Sequence, residues 1–381
     1  MRDLVSRSLL LAGFVMVTFA NQAMWVTFAP VASQVAAKLQ VEVRWVGFLP
    51  VLYPVVFLLL SIPAGKLADM DAVKWVMIAG VLTAIGATVR FAGFNLFVLY
   101  FSQFLAAVAQ PLILNGFVPL TKLYSQEKRS VVLTTMSVSM YSGIAFSLLA
   151  GVPVYSTFGI TGLILPAAVL SVIGLVVLIC AHRFLSTGPA TPSSVNTGFG
   201  SVVCRPFVMV FGCILGLGVG TFDNLSTWLE PALSSTNFSH HAGQIMGIAI
   251  SAGVIGVGVI APAVARYRKH IGYLKFVLVF VLLSMVLLSV YPKLVVVYIL
   301  IITSSVLMFP AYPLIMEMVA ERFLQGGLAA GAVGMVSRVV TVTLTLLASA
   351  FIGDASLFFR FLSIPLLAGV VLIILWNDTI I

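Results

Sequence analysis

Twelve near-continuous apolar runs dominate this chain and limit what it can fold into. They span approximately residues 8–36, 44–68, 73–93, 95–123, 130–157, 160–182, 206–231, 241–267, 272–292, 294–320, 326–352 and 356–376. At 1.5 Å per residue, a helix of about 20 residues crosses a hydrocarbon core of about 30 Å, so each run is long enough for one crossing. Composition closes the soluble alternative: 61% of the 381 residues are hydrophobic, 8% are charged and the mean hydropathy is +1.18. Too few polar side chains remain to coat a water-soluble globule of this size. The expected class is an all-α integral membrane protein with twelve transmembrane helices. The first run follows MRDLVSRS but exceeds a signal-peptide core and carries Asn21, Gln22 and Trp25, so it is read as a retained helix.

Charge distribution orients the spans. With both termini cytoplasmic, Lys38, Arg44, Arg90, Lys293 and Arg360 fall on the outer side and Arg338 falls inside a span. Every other Lys and Arg is at an inner end or loop, the bias expected of a multi-pass protein of the cell membrane. The formal net charge of +9 therefore faces anionic lipid head groups, and nucleic acid need not be invoked. Cys180, Cys204 and Cys213 lack a CxxC spacing and indicate neither a disulfide framework nor a zinc site.

Residues 183–205, RFLSTGPATPSSVNTGFGSVVCR, are rich in Ser, Thr, Gly and Pro and read as a cytoplasmic linker. It separates an N-terminal bundle of six helices, 1–182, from a C-terminal bundle, 206–381. The octapeptides TFANQAMW at 18–25 and TFDNLSTW at 221–228 open the first and seventh runs. A second echo lies in the loops GKLADMDAVK at 65–74 and PAVARYRKHI at 262–271. Two parallel six-helix repeats are the plan of the major facilitator transporters, in which substrate binds near the midplane between halves. Residues four apart share a helix face, so Asn21 pairs with Trp25 and Asn224 with Trp228 as polar and aromatic surfaces. The plainer alternative has Trp in the interfacial belt and Asn gripping a neighbouring helix, and suits Trp228 better than the more deeply set Trp25.

The loop at 65–74 resembles the facilitator motif after helix 2: Gly65, Leu67, Ala68, Asp69 and Lys74 fit it, whereas Met70, Ala72 and Val73 depart from its basic and Gly positions. Asp69 is accordingly a gating candidate. AAVAQPLIL at 106–114, RPFV at 205–208, GTFDNLSTWL at 220–229, AGQIMGIAISAGVIG at 242–256 and YPLIMEMVAE at 312–321 are similar to helices of the feline leukaemia virus subgroup C receptor-related transporters. That resemblance implies transport of choline, ethanolamine or related amines, with haem export also ascribed to the family. The implied site is an aromatic cage for a quaternary ammonium, backed by amides. Trp25 matches the family's first-helix Trp and Gln110 its fourth-helix Gln, with Asn115 further along that helix. Where the family has a seventh-helix Tyr this chain has Asp223, and where it has an eleventh-helix Gln it has Arg338.

Ionisable groups inside spans are expensive and usually face a cavity or one another. For Asp223 and Arg338 three readings stand: a buried ion pair, an Asp223 that contacts a cation or carries a coupling proton, and an Arg338 that binds a carboxylate or phosphate. If both meet a ligand, a zwitterion fits better than choline. Gly212, Gly216, Gly218 and Gly220 precede Asp223 and allow either close packing or a helix break. Glu317 and Glu321 should share the depth of Arg266, Arg268 and Arg322, which points to inner-gate or structural ion pairs. The absence of HExxH, GxSxG and CxxC patterns disfavours an intramembrane enzyme, and no filter-like loop suggests a channel. No cofactor or resident metal is indicated. The sequence predicts a monomeric carrier of a small polar organic solute, an amine or amino zwitterion, with coupling to a proton or ion open. An organic anion, iron chelate or haem-like compound is the alternative cargo.

Overall fold

The computed structural model describes residues 2–184 and 202–376. Most of the expected linker, residues 185–201, and the last five residues lie outside them. Fourteen α-helices are described: α1 Arg2–Val26, α2 Ala32–Leu39, α3 Val43–Gly47, α4 Leu52–Met70, α5 Ala72–Val89, α6 Leu96–Thr121, α7 Gln126–Phe184, α8 Pro206–Ala232, α9 Ala242–Arg266, α10 His270–Val290, α11 Leu294–Met308, α12 Ala311–Arg322, α13 Gly326–Ala348 and α14 Ala355–Leu375. No strand occurs among the described residues.

Eleven helical stretches are long and apolar enough to cross a bilayer. One of them, α7, is 59 residues long and turns at Gly159, whose φ of 63° and ψ of −155° are accessible essentially only to glycine. Its limbs, 126–158 and 160–184, bring the crossings to twelve. Local signals set several starts. Asp71, Asn95 and Asp354 each accept a hydrogen bond from the backbone three residues on, at 2.9, 2.9 and 3.0 Å. These side chains satisfy N–H groups that a helix start leaves open. Pro310 separates α11 from α12 because it cannot continue the backbone ladder.

The chain forms two compact units. The first contains residues up to 184 together with Val319–Gly331; the second contains 202–318 and the residues from Ala332 onward. Within the first, α1 lies against both limbs of α7. Ser139 and Ser147 on one limb donate to the carbonyls of Val15 and Ala23, at 2.6 and 2.8 Å. On the other limb Gly174 sits so close to Met16 and the Gly13 carbonyl that an added Cβ would lie 2.8 and 3.0 Å from them.

Asp69 explains why Val319–Gly331 belongs to the first unit. Its two carboxylate oxygens accept from the N–H groups of Gly327 and Leu328, each at 2.7 Å, at the positive end of α13. Lys122 donates to the carbonyl of Leu324, and Ser61 to that of Gly331. In the second unit α8 is continuous through its glycines. A Cβ at Gly212 or Gly216 would lie 2.7 Å from Val336 or Val340 of α13. The ladder is thus a helix-packing face, and the helix-break reading is not realised.

Candidate functional site

The first unit uses its octapeptide mainly for packing. Asn21 is fully buried, and its amide donates to the Ala106 carbonyl at 2.8 Å and to the Thr83 hydroxyl at 3.2 Å. Tyr53 donates to the Asn21 carbonyl at 3.0 Å. Asn21 therefore joins α1 to α4, α5 and α6 as helix-gripping glue. Trp25 stacks on Tyr53 at 5.8 Å between ring centroids, and its indole N–H donates to the Pro50 carbonyl at 2.9 Å. Asn115 is likewise consumed locally, donating to the Ser61 carbonyl at 2.6 Å.

Gln110 differs. It is 1% exposed, and neither its amide nitrogen nor its oxygen has a hydrogen-bond partner; the buried Thr18 hydroxyl has none either. The register of α1 against α6 brings these groups to one level. Asn21 meets Ala106 on one side of them, and the rings of Phe14 and Phe117, 5.4 Å apart, meet on the other. Buried polar groups almost always find partners, which makes this level a candidate contact for a solute or water.

In the second unit the span charges come together. Arg338 Nη1 on α13 lies 3.6 Å from Asp223 Oδ2 on α8, with side-chain exposures of 13% and 29%. Among the described residues the Asp223 carboxylate accepts no hydrogen bond, and Arg338 is its ion-pair partner. At 3.6 Å the contact is electrostatic and longer than a hydrogen bond. One residue earlier, Phe222 packs edge-on against Phe309 at 4.9 Å, beside the break between α11 and α12. Tyr312, just past that break, lies within electrostatic reach of Arg338. Asn224 donates to the Gly220 carbonyl of its own helix at 2.7 Å, and Trp228 to the Thr345 carbonyl of α13 at 3.3 Å.

Two expectations change at helix ends. Glu317 pairs with His270 at 3.2 Å rather than with Arg266, which makes no ion pair among the described residues. The turn at Tyr267–Lys269, with Arg268 at a φ of 51°, brings α10 back so that its first side chain meets α12. Arg90, expected among the outer loop charges, is instead 2% exposed. Sequence reasoning also missed Tyr53, Gln103 and Thr345; none stands out from the apolar or polar residues around it. Among the described residues no three His, Cys, Asp or Glu side chains gather to hold a metal ion.

A profile of the Major Facilitator Superfamily matches residues 14–345. The chain belongs to that superfamily, a family of membrane transporters and not of enzymes. It is 25% identical over 276 residues to Solute carrier family 49 member A3 of Xenopus tropicalis, covering 65% of this chain and 56% of that protein. To the Danio rerio protein of the same name it is 26% identical over 279 residues, covering 67% and 58%. The chain thus spans little more than half the length of these curated relatives. They belong with the feline leukaemia virus subgroup C receptor-related family that the sequence blocks resemble. Its fold is similar to a bacterial homologue of the iron transporter ferroportin, with a TM-score of 0.78, 14% identity and coverage of 97% and 98% of the two chains. The Escherichia coli fucose:proton symporter gives 0.71, 14%, 98% and 98%, and the human organic anion transporter MFSD10 gives 0.74, 14%, 96% and 99%.

Proposed function

We propose that this facilitator carries a small amino zwitterion, or a related amine such as ethanolamine, across the cell membrane, with both termini cytoplasmic. The observation that carries the reading is the loose pair of Asp223 and Arg338. A hydrogen-bonded ion pair would neutralise both groups and serve packing alone. A carboxylate that accepts no hydrogen bond, 3.6 Å from a guanidinium, leaves room for an ammonium on one side and a carboxylate on the other. Within the first unit, Gln110 is a separate amide whose donor and acceptor are both uncommitted. In this reading Asp223 and Arg338 contact solute. Asn21, Asn115 and Asn224 hold helices, while Asp69 and the Glu317–His270 pair fasten the inner ends.

Alternating access then requires Asp223 and Arg338 to exchange each other for the solute's charges. Protonation of Asp223 would release Arg338 in the same way, which makes Asp223 the proposed coupling site. Purified protein screened by thermal shift against amino acids, ethanolamine, choline and simple carboxylates tests the assignment. A ligand at 100 times its Kd stabilises the folded state by about 2.7 kcal/mol. Stabilisation by zwitterions ahead of choline and carboxylates is expected; a response to carboxylates alone would transfer the site to an organic anion held by Arg338. In proteoliposomes, Asp223→Asn should abolish pH-driven uptake and retain exchange. An unchanged pH dependence would remove Asp223 from coupling.

A further inference from the structure

Arg90 is a buried guanidinium with neutral partners on every side. It follows α5 and reaches between the ends of α1 and α6. Its Nε donates to the Ser102 hydroxyl at 2.8 Å, Nη1 to the Thr27 hydroxyl at 3.2 Å, and Nη2 to the Met24 carbonyl at 3.3 Å and to Gln103 Oε1 at 2.5 Å. The guanidinium also lies over the Phe28 ring, 5.1 Å from its centroid. No carboxylate is among these contacts. Burying an ion without a counter-ion is costly, and neutral side chains could tie the same helices without that cost. An arginine does not shed its proton in a protein, so the charge persists at physiological pH. The C-terminal carbonyls of α1 and α5 offset part of it, as helix ends do for a cation.

The charge is wired to Trp25. Gln103, which accepts from Arg90, donates through Nε2 to the Trp25 carbonyl at 2.9 Å, and the Met24 carbonyl is the neighbouring peptide of α1. Tyr53, stacked on Trp25, lies within electrostatic reach of Arg90, and its hydroxyl is already committed to the Asn21 carbonyl. Two of the four acceptors, Thr27 and Met24, together with Phe28 therefore hold the guanidinium at the last turn of α1, and Gln103 links it to the backbone of Trp25, whose ring stacks on Tyr53.

We propose that Arg90 is a specificity-determining residue: its fixed positive charge makes the half-buried Trp25 ring reject cations and accept neutral or anionic groups. An aromatic face attracts a quaternary ammonium only while its surroundings are neutral or negative. A guanidinium held by the Met24 carbonyl and by Gln103, which is bonded to the Trp25 backbone, opposes that attraction, so this stack does not fit a choline cage. The inference does not depend on Asp223, Arg338 or the identity of the solute.

Collisional quenching of tryptophan fluorescence tests it without any substrate. Iodide, caesium and uncharged acrylamide are titrated onto purified full-length protein in a neutral detergent, and the Trp25 signal is the difference from Trp25→Phe. Each constant is normalised to N-acetyltryptophanamide. Acrylamide should reach Trp25, and iodide should quench it at least threefold more effectively than caesium. Arg90→Gln should bring that ratio close to one while leaving the ratio for the other four tryptophans unchanged. Arg90→Lys, which retains the charge and loses the planar fork, should keep the wild-type ratio. A purely structural tie predicts the reverse: the same ratio in Arg90→Gln, or its loss in Arg90→Lys. Either result overturns the proposal, as does a Trp25 that acrylamide cannot reach or a wild-type ratio near one. If Arg90→Gln does not fold, the wild-type and Arg90→Lys ratios decide.

Discussion

The octapeptides at 18–25 and 221–228 share Thr, Phe, Asn and Trp at the same positions, yet the two units use them differently. In the first, the third position is Ala20, fully buried in a cluster with Met24, Tyr53 and Ala106. The following Asn21 spends its amide on two neighbouring helices. In the second, the third position is Asp223, partly exposed and facing Arg338, and Asn224 donates at 2.7 Å within its own helix and at only 3.5 Å to Thr345 of α13. The shared residues keep the helix packed; of the four positions that differ, the third decides whether the segment closes on apolar neighbours or presents a charge. A repeated motif thus reports common architecture and need not report a common role.

Moving the differing residue should give the largest effect. Ala20→Asp would set a carboxylate among apolar side chains without a counter-ion; insertion alone costs about 3 kcal/mol, before any steric cost. The expected result is no monodisperse protein on size-exclusion chromatography, and a well-folded Ala20→Asp would end the comparison. Arg338→Gln comes next: leaving Asp223 without its counter-charge should destabilise by about 3 kcal/mol in thermal melts. The double variant Asp223→Asn with Arg338→Gln should recover much of that loss, though not transport.

Removing the shared amide should separate the units more gently. Asn21→Ala loses two buried inter-helix hydrogen bonds and should cost about 2 kcal/mol, against about 1 kcal/mol for Asn224→Ala, whose short bond stays within α8. Equal losses in paired melts would mean that the two asparagines do the same work. The smallest change is expected at the indoles. Trp228→Phe gives up one long hydrogen bond and should cost less than about 1 kcal/mol, with solute affinity in a thermal-shift titration unchanged.

Much of the architecture was legible because spans obey a length rule and an exposure rule that act residue by residue. The twelve crossings follow from local chemistry, whereas prolines do not by themselves mark breaks: Pro111 and Pro119 lie inside the continuous α6, while the helix is interrupted at Pro310. The position of Asp69 was visible as a motif, but not its ligands, since the N–H groups of Gly327 and Leu328 lie more than 250 residues away in the chain. The helix ends were the least legible. Arg90 reads as a loop charge until the ends of α1 and α6 close around it, and nothing in the letters marks His270 as a partner of Glu317. Asn21 and Gln110 are both amides in apolar helices, and the letters do not distinguish the one that is satisfied from the one that is not.

The amino-acid sequence by itself determined that this chain spans a membrane twelve times and repeats one plan twice, because hydrophobic length and backbone hydrogen bonding leave a lipid-embedded segment little choice but helix. Only the tertiary structure decided which polar side chains are consumed in holding helices together and which remain uncommitted. That distinction depends on the distance and direction between groups on different helices: 2.8 Å turns Asn21 into packing, and 3.6 Å leaves Asp223 and Arg338 able to part.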